Sequence, residues 1–568
     1  MFAPAAMAQD SWNVAPKQPT ANAAAGVSDR AGATGQSAPE ADAGKVILPR
    51  LLGLRFVPHA SDVIVNGVHR SGLDIAAVPG LDDPDITEQL RSYLGGPFTF
   101  GDLRDVEALV KSALSGKHHG LVNVTVPDQD VTTGTVQLVV TQYVVGRVKV
   151  GGNRHFSNTV IAKGIDLPPG APLDFGRLKR DLDWLNRNPF RQVNAVLEPG
   201  AAPDGIDIDV AVKERFPFRA YASFDNSGAP SSGRDRWSFG LNFGNLFGRD
   251  QQLSAQVTAG DDVLRHPTDG RFLATSLSYT VPLVWHDLIQ ITGAYVRQSP
   301  DVGPYFGQVG RSWQASLRYI DTLGGLEWLS QEVWFGFDFK STNNDLSFGG
   351  VQVFAASQEV DQFSLTYNGS ETDDWGITAL ENDVFYSPGN LTGSNTDRAF
   401  SLSGTTGAKA DYTYDTLSLT RLMRLTFGAS WVTRARWQWA SGDLLPSEQL
   451  AGGGEGSVRG YDPHVIEGSE GVLVTEELRL PPMHLLSHVS RLDDGLQLYG
   501  FWDFARLGDP TSKKGDPAHA YLASAGAGLD YSIGRNLSIE ADYGWQLRRL
   551  AGAARRGARA DLAVTVSY

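Results

Sequence analysis

The segment Gly452-Gly453-Gly454-Glu455-Gly456-Ser457-Val458-Arg459-Gly460-Tyr461 holds the densest run of residues that could grip a charged group. Its glycines would let backbone N–H groups cradle a phosphate, but the Gly-Lys-Ser/Thr ending that would hold nucleotide and magnesium is missing. Two readings then stand side by side. The segment is a mobile hairpin loop, or Arg459 folds back into a wet interior where its rigid fork seeks a carboxylate in a bidentate pair. Asp503 has the phase for that pair. Alternation along Leu496 to Arg506 turns Leu498, Trp502 and Phe504 to one face, and Gln497, Tyr499, Phe501 and Asp503 to the other. From the residues alone, Asp503 fits equally well as that partner or as one more acid lining a pore. Hydrolase chemistry finds no support: there is no Gly-x-Ser-x-Gly elbow to present a serine nucleophile. The chain has no cysteine, which removes thiol nucleophiles, disulfides and thiolate metal sites together. His118-His119 falls just past a helical stretch and reads as a solvated pair. The expectation is a protein that is not an enzyme, with no cofactor and no metal.

The elements that must position Arg459 and Asp503 are written in the composition. Over 568 residues, 63 glycines, 13 tryptophans and 10% aromatics accompany only 20% charged residues, and the mean hydropathy is -0.21. Twisted strands with glycine turns and aromatic girdles produce such a profile. No apolar run approaches the ~20 residues of a membrane-spanning helix, so a passage through lipid would have to use strands. A formal charge of -15 argues against nucleic acid as a partner. The lack of cysteine also suits an oxidising compartment.

Along the chain, residues 1–8 end in Ala6-Met7-Ala8, which has the small-x-small form of a signal-peptidase site, so a mature chain beginning near Gln9 is expected. Residues 9–44 are rich in Ala, Gly, Ser, Pro and Thr and read as a flexible arm. Two modules of similar layout follow, 45–144 and 145–216. In the first, Leu103, Val106, Leu109, Val110 and Leu114 form one helical face; in the second, Asp174 could cap a helix carrying Phe175, Leu178, Leu182 and Leu185. Strand, helix, helix, strand, strand, used twice, predicts two small α+β domains. From 217 to 568, strands of around ten residues recur between Gly, Asn, Asp and Ser. Leu537, Ile539, Ala541, Tyr543 and Trp545 alternate with polar residues, and Leu425, Phe427, Ala429 and Trp431 read as another such strand, with Arg434 and Arg436 on its polar face. A soluble sandwich alternates too, but arginines on the polar face suit a water-filled lumen. The chain ends on Leu562, Val564, Val566 and Tyr568, an alternation closing on an aromatic, like the signal by which outer-membrane barrels are recognised for insertion. The fold class expected is a membrane β-barrel preceded by two small α+β periplasmic domains, in the outer membrane of a Gram-negative bacterium.

Several patterns in order resemble the outer-membrane transporters of two-partner secretion. Pro127-Asp128-Gln129 before Gly134-Thr135-Val136, and Leu185-Asn186-Arg187-Asn188-Pro189-Phe190-Arg191, are similar to motifs of that family's polypeptide-transport-associated (POTRA) domains. Asp225-Asn226-Ser227-Gly228 and Asn245-Leu246-Phe247-Gly248-Arg249-Asp250 resemble the start of its barrel. Val458-Arg459-Gly460-Tyr461 is similar to the hallmark of the long sixth extracellular loop, and Phe501-Trp502-Asp503 looks like the strand motif whose aspartate receives that arginine. The resemblance implies a barrel of sixteen antiparallel strands, which about 350 residues fill at roughly 22 per strand and connection. It also implies a monomeric pore that exports a secreted haemolysin or adhesin, with Pro127, Gln129, Asn186, Pro189, Phe190 and Arg191 in the partner-binding modules and Val566 and Tyr568 in the insertion signal. Two departures stand out. Ala505 replaces the strand motif's usual glycine and is expected to crowd the folded-back loop slightly, and residues 9–44 show no amphipathic stripe for the plug helix of many relatives. The alternative within the superfamily is a barrel-assembly factor, whose usual sign is a longer series of periplasmic modules than the two for which this chain has room.

Overall fold

The computed structural model describes Lys17, Val27–Asp29 and residues 43–568, apart from 119, 264–265, 267–269, 302–305, 325–327, 349–350, 403–406, 487–491, 512–518 and 551. The signal-peptidase motif, most of the 9–44 arm and His119 lie outside the described residues. The described residues form two compact units, one that ends at Phe216 and one of Pro217–Tyr568 together with Lys17.

Strands are numbered along the chain. In the first unit they are β1 (Val27–Asp29), β2 (Val46–Leu48), β3 (Gly53–Val57), β4 (Gly72–Asp74), β5 (Phe98–Thr99), β6 (Val122–Thr125), β7 (Thr135–Gln142), β8 (Val144–Gly151), β9 (Arg191–Pro199) and β10 (Gly205–Glu214). Its helices are α1 (Pro84–Arg91), α2 (Phe100–His118), α3 (Asn158–Lys163) and α4 (Phe175–Asn186). One sheet runs β4-β3-β7-β6 with β3 and β7 parallel. Leu54, Phe56, Leu90, Val106, Val110 and Leu138 bury together against it. The second runs β1-β9-β10-β8, with β8 and β10 parallel. The stripe Leu178, Leu182 and Leu185 on α4 buries there against Val193 and Ile208, each apolar side chain contributing about 2 kcal/mol. Asp174 caps α4 by accepting from the Arg177 N–H at 2.9 Å. Helix α3 is too short to leave a period in the sequence; Ser157 starts it by accepting from the Val160 N–H.

The second unit is a closed antiparallel barrel of sixteen strands. They are β11 (Phe218–Asp225), β12 (Arg236–Leu246), β13 (Gln251–Gly260), β14 (Phe272–Pro282), β15 (Leu288–Gln298), β16 (Phe306–Leu323), β17 (Leu329–Phe348), β18 (Val351–Asp373), β19 (Gly376–Pro388), β20 (Asp411–Arg424), β21 (Ser430–Ala440), β24 (Glu470–Arg479), β25 (Asp494–Gly508), β26 (His519–Ile533), β27 (Leu537–Gln546) and β28 (Ala558–Ser567). The short ribbon β22 (Leu450–Gly452) and β23 (Ile466–Gly468) belongs to the connection between β21 and β24. Closure comes from β11 pairing with β28, Tyr221 opposite Ser567. Exposure is inverted relative to a soluble sandwich: Trp237, Phe239 and Leu241 face outward, while Ser238, Asn242, Gln256 and Thr258 are buried. Only a lipid solvent outside and a wet lumen inside suit that order. Trp545 and Val566 point outward as their alternation predicts, and Tyr568 at the chain's end is exposed.

One strand assignment needs correction. Leu425 to Ala429 is a tight connection between β20 and β21, with Phe427 at φ 61° and 96% exposed. A period of two cannot distinguish a strand from a turn whose residues happen to alternate, and Phe427-Gly428 supplies the left-handed bend. The strand starts at Ser430. Asn368-Gly369-Ser370 lies inside the long strand β18.

Candidate functional site

The connection from β21 to β24 folds back into the barrel. Arg459, 5% exposed, is held inside by three strands. Its Nε donates to Asp503 Oδ2 at 2.9 Å and its Nη2 to Asp503 Oδ1 at 2.8 Å, a fork closed by its own N–H on Oδ2 at 3.0 Å. Nη1 lies 3.0 Å from Glu477 on β24 and 3.4 Å from Asp542 on β27. The guanidinium carbon sits 3.5 Å from the ring centroid of Phe501, so one side chain satisfies charge, hydrogen bonding and a cation–π face together.

The neighbouring residues each have a reason. Val458 and Tyr461 are buried with Ala505 and Leu522. The Tyr461 hydroxyl reaches the carbonyls of Ala523 and Arg548 at 2.9 and 2.6 Å. Gly460 has φ +88°, and a Cβ there would stand 2.8 Å from the Gly544 carbonyl oxygen. Its own carbonyl accepts from Gln546 Nε2 at 2.8 Å. The Ala505 methyl belongs to this buried cluster, and a Cβ built at Gly452 would meet it at an ordinary 3.4 Å.

A second anchor was not legible in the sequence. Glu448, 3% exposed at the loop's base, accepts from Lys340 Nζ through both oxygens at 2.9 Å. Gln362 Nε2 donates at 3.1 Å and the Tyr414 hydroxyl at 2.7 Å. Leu444 and Leu445 bury nearby against Phe400 and Tyr412. The loop is therefore tied to β17, β18 and β20 at its base and to β24, β25 and β27 at its tip. Lysine and glutamate 108 residues apart carry no spacing signal. Asp542 was readable as polar-face by alternation. Glu477 was not, because Glu476 beside it offers the opposite phase.

Lys17 also lies in the lumen. Its N–H reaches the Tyr221 hydroxyl at 2.9 Å, its carbonyl accepts from Asn242 Nδ2 at 3.2 Å, and its Nζ meets Thr565 Oγ1 at 3.2 Å. Lys17, Gln256, Arg436, Gln449 and Glu455 line a cavity of about 690 Å³ beside the loop. Of the 9–44 stretch, which shows no amphipathic stripe, this one described residue lies inside the barrel.

The model of the family "Haemolysin secretion/activation protein ShlB/FhaC/HecB" matches residues 204–531. The chain belongs to this family. The outer membrane transporter CdiB of Dickeya dadantii (strain 3937) is 23% identical over 74% of this chain and 72% of its own length. The solved fold of CdiB from Escherichia coli superposes with TM-score 0.74 at 17% identity, covering 99% of this chain and 95% of that one. CdiB from Acinetobacter baumannii gives 0.67 at 16% identity over the full length of both. The protein is a two-partner secretion transporter of the outer membrane, and the translocation reading prevails over the assembly factor.

In this transporter the module motifs are internal. Gln129 Nε2 donates to the Gln137 carbonyl at 2.7 Å and Gln129 Oε1 accepts from the Gln137 N–H at 2.8 Å, copying a strand's pairing with β7; Pro127 also accepts from Gln129 through its carbonyl. Asn186 repeats the device on Val193 of β9, at 2.8 and 2.7 Å. Phe190 and Arg191 are buried, Arg191 Nε donating to the Leu185 carbonyl at 2.9 Å. The Pro189 carbonyl accepts from Arg215. These side chains shape the modules from within and do not form an exposed patch.

Proposed function

We propose that this transporter captures an unfolded exoprotein of the haemolysin or adhesin class by strand addition to the sheet edges of its periplasmic unit. It then threads that chain through the barrel as the loop held by Arg459 gives way. The observation that carries the capture step is β1. Val27–Asp29 lies parallel on β9, with Val27 opposite Ala195, Ser28 opposite Val196 and Asp29 opposite Leu197. That edge therefore accepts an added extended segment, and pairing through backbone hydrogen bonds demands little of the guest's sequence. The barrel closes without a free strand edge, which suits a single copy in lipid.

Two experiments test the reading. Arg459→Ala should leave a folded, inserted barrel but impair export of the partner; unchanged export would refute the role given to the loop. A photo-crosslinker at Val196, half-buried on the β9 edge, should trap the partner in transit. Cross-links elsewhere on the unit but none at this strand would remove strand addition here.

A further inference from the structure

We propose that the extracellular rim over β25 to β28 binds the phosphates of the glycolipid that forms the outer leaflet, through Arg506 and Arg548 at Tyr521 together with Arg549, Arg555 and Arg556 of the connection that carries Arg548. This goes beyond the export role and stands or falls separately from it.

The charge pattern is the first ground. In a chain with a formal charge of -15, the connection 547–557 carries Arg548, Arg549, Arg555 and Arg556 and no acidic residue. All four are exposed, as is Arg506. Among the described residues none of the five has an ion-pair partner, whereas the inward-facing Arg318, Arg434, Arg459, Arg479 and Arg559 each have a carboxylate within reach. Glu470 at the top of β24 pairs with none of them.

Placement is the second. Arg506 lies directly opposite Tyr521 in the β25–β26 register. It shares the outward phase of Trp502, which is 41% exposed, and Tyr521 is 38% exposed. The guanidinium carbons of Arg506 and Arg548 stand 5.7 and 5.3 Å from the Tyr521 ring centroid. Two cations thus converge on one lipid-side ring with no anion from the protein between them, a geometry a phosphate relieves through bidentate bonds.

Level is the third. Trp502 and Trp545 face outward on either side of Ala525 and mark the aromatic girdle. Arg506 and Tyr521 lie four residues beyond that row, roughly 13 Å along the strand. At a tilt of 35–45° this is about 10 Å along the membrane normal, the depth of a headgroup above its girdle. The shared ligand chemistry is a phosphate monoester, and the girdle beneath selects one borne on lipid.

The test uses the full chain purified from outer membranes in mild detergent, with bound lipopolysaccharide read by native mass spectrometry. The wild type should retain it, and Arg506→Gln/Arg548→Gln/Arg555→Gln/Arg556→Gln should retain at least tenfold less at unchanged heat-modifiable gel mobility. Lipid A stripped of its phosphates should fail to rebind to the wild type. Should the fourfold variant fail to insert, Arg548→Gln/Arg556→Gln is titrated with lipid A instead and should bind several-fold more weakly. Equal retention by the inserted variant, equal binding of dephosphorylated lipid A, or complete displacement by millimolar inorganic phosphate would each overturn the proposal.

Discussion

Removing the Arg459 side chain should release the loop tip from the barrel wall, and the size of that release follows from what is left behind. Asp503 is fully buried and takes its side-chain hydrogen bonds from Arg459. Glu477 keeps Arg434 and Arg479, and Asp542 loses the arginine altogether. Breaking a buried pair from one side costs about 3–5 kcal/mol. At about 1.4 kcal/mol per decade, the open population rises roughly a hundred- to a few-thousand-fold. The absence of native cysteine makes the assay clean. A single Val458→Cys sits at a fully buried position, so maleimide reaches it only in the open state and its labelling rate reports that population. Arg459→Ala should accelerate labelling by the stated factor. Arg459→Lys, which keeps a charge but cannot span Asp503 with a fork, should fall between. Equal rates in all three proteins, each still inserted, would show that the ion pair does not hold the loop.

The base of the loop should behave as a thermodynamic pair. Lys340→Met, which strands the Glu448 carboxylate, should raise labelling of a buried Leu444→Cys by about a hundredfold or more, and adding Glu448→Gln should recover part of it; a double variant worse than the single one counts against the pairing. Gly544→Ala puts a Cβ 2.7 Å from the Gly460 nitrogen, whereas at Gly500 the nearest atom is 3.8 Å away. The first should open the loop at least tenfold by the same thiol assay and the second should not, and parity between them would refute the close approach. Ser28→Pro, in the middle of β1, should break the pairing with β9 and tighten binding of a partner segment several-fold in a pull-down, unless the edge is not the site of capture. On α4 of the N-terminal unit, burial pushes the Asp181 carboxyl up to about 7. A raised carboxylate favours the protonated fold, so this stability is present below about pH 4 and lost as pH climbs through about 7. Asp181→Asn should flatten that loss, read as hydrogen exchange of α4 corrected for intrinsic pH dependence; an unchanged profile would exonerate Asp181.

How much of this was legible from residues depends on whether a signal is local. Period-two alternation is local, so the faces of β25, β27 and β28 and the phase of Asp503 could be read directly. The cap Asp174 and the stripe on α4 are local too. Alternation fails at Leu425 to Ala429 because a turn has no period, only a residue willing to take positive φ, and Phe427 is an unusual one. The anchor between Lys340 and Glu448 joins a strand to a loop across the lumen, and nothing in either neighbourhood names the other. The motif residues Gln129 and Asn186 were visible, but their use as backbone mimics on β7 and β9 was not, since an amide that copies a peptide group looks like any other polar residue in sequence.

The chemistry of the two anchors bears on how a pore can be both shut and usable. An apolar plug would have to expose its greasy face to the wet lumen on leaving, at roughly 25 cal/mol for each Å². A charged anchor pays most of its cost on entering, because desolvation offsets much of the Coulomb gain. On release into water each partner is hydrated again. Arg459 and Lys340 therefore tie the loop with contacts that are specific in geometry but modest in net stability. Those are the terms on which a threading chain, drawn outward by its own folding, could displace the loop with no nucleotide to drive it. On this argument the double variant Glu448→Leu in the loop and Lys340→Met on β17 should seat the loop at least as stably as the native protein and export less, measured on the same protein by thiol labelling and by secretion. Faster labelling together with normal export would show that the charges provide stability and not reversibility.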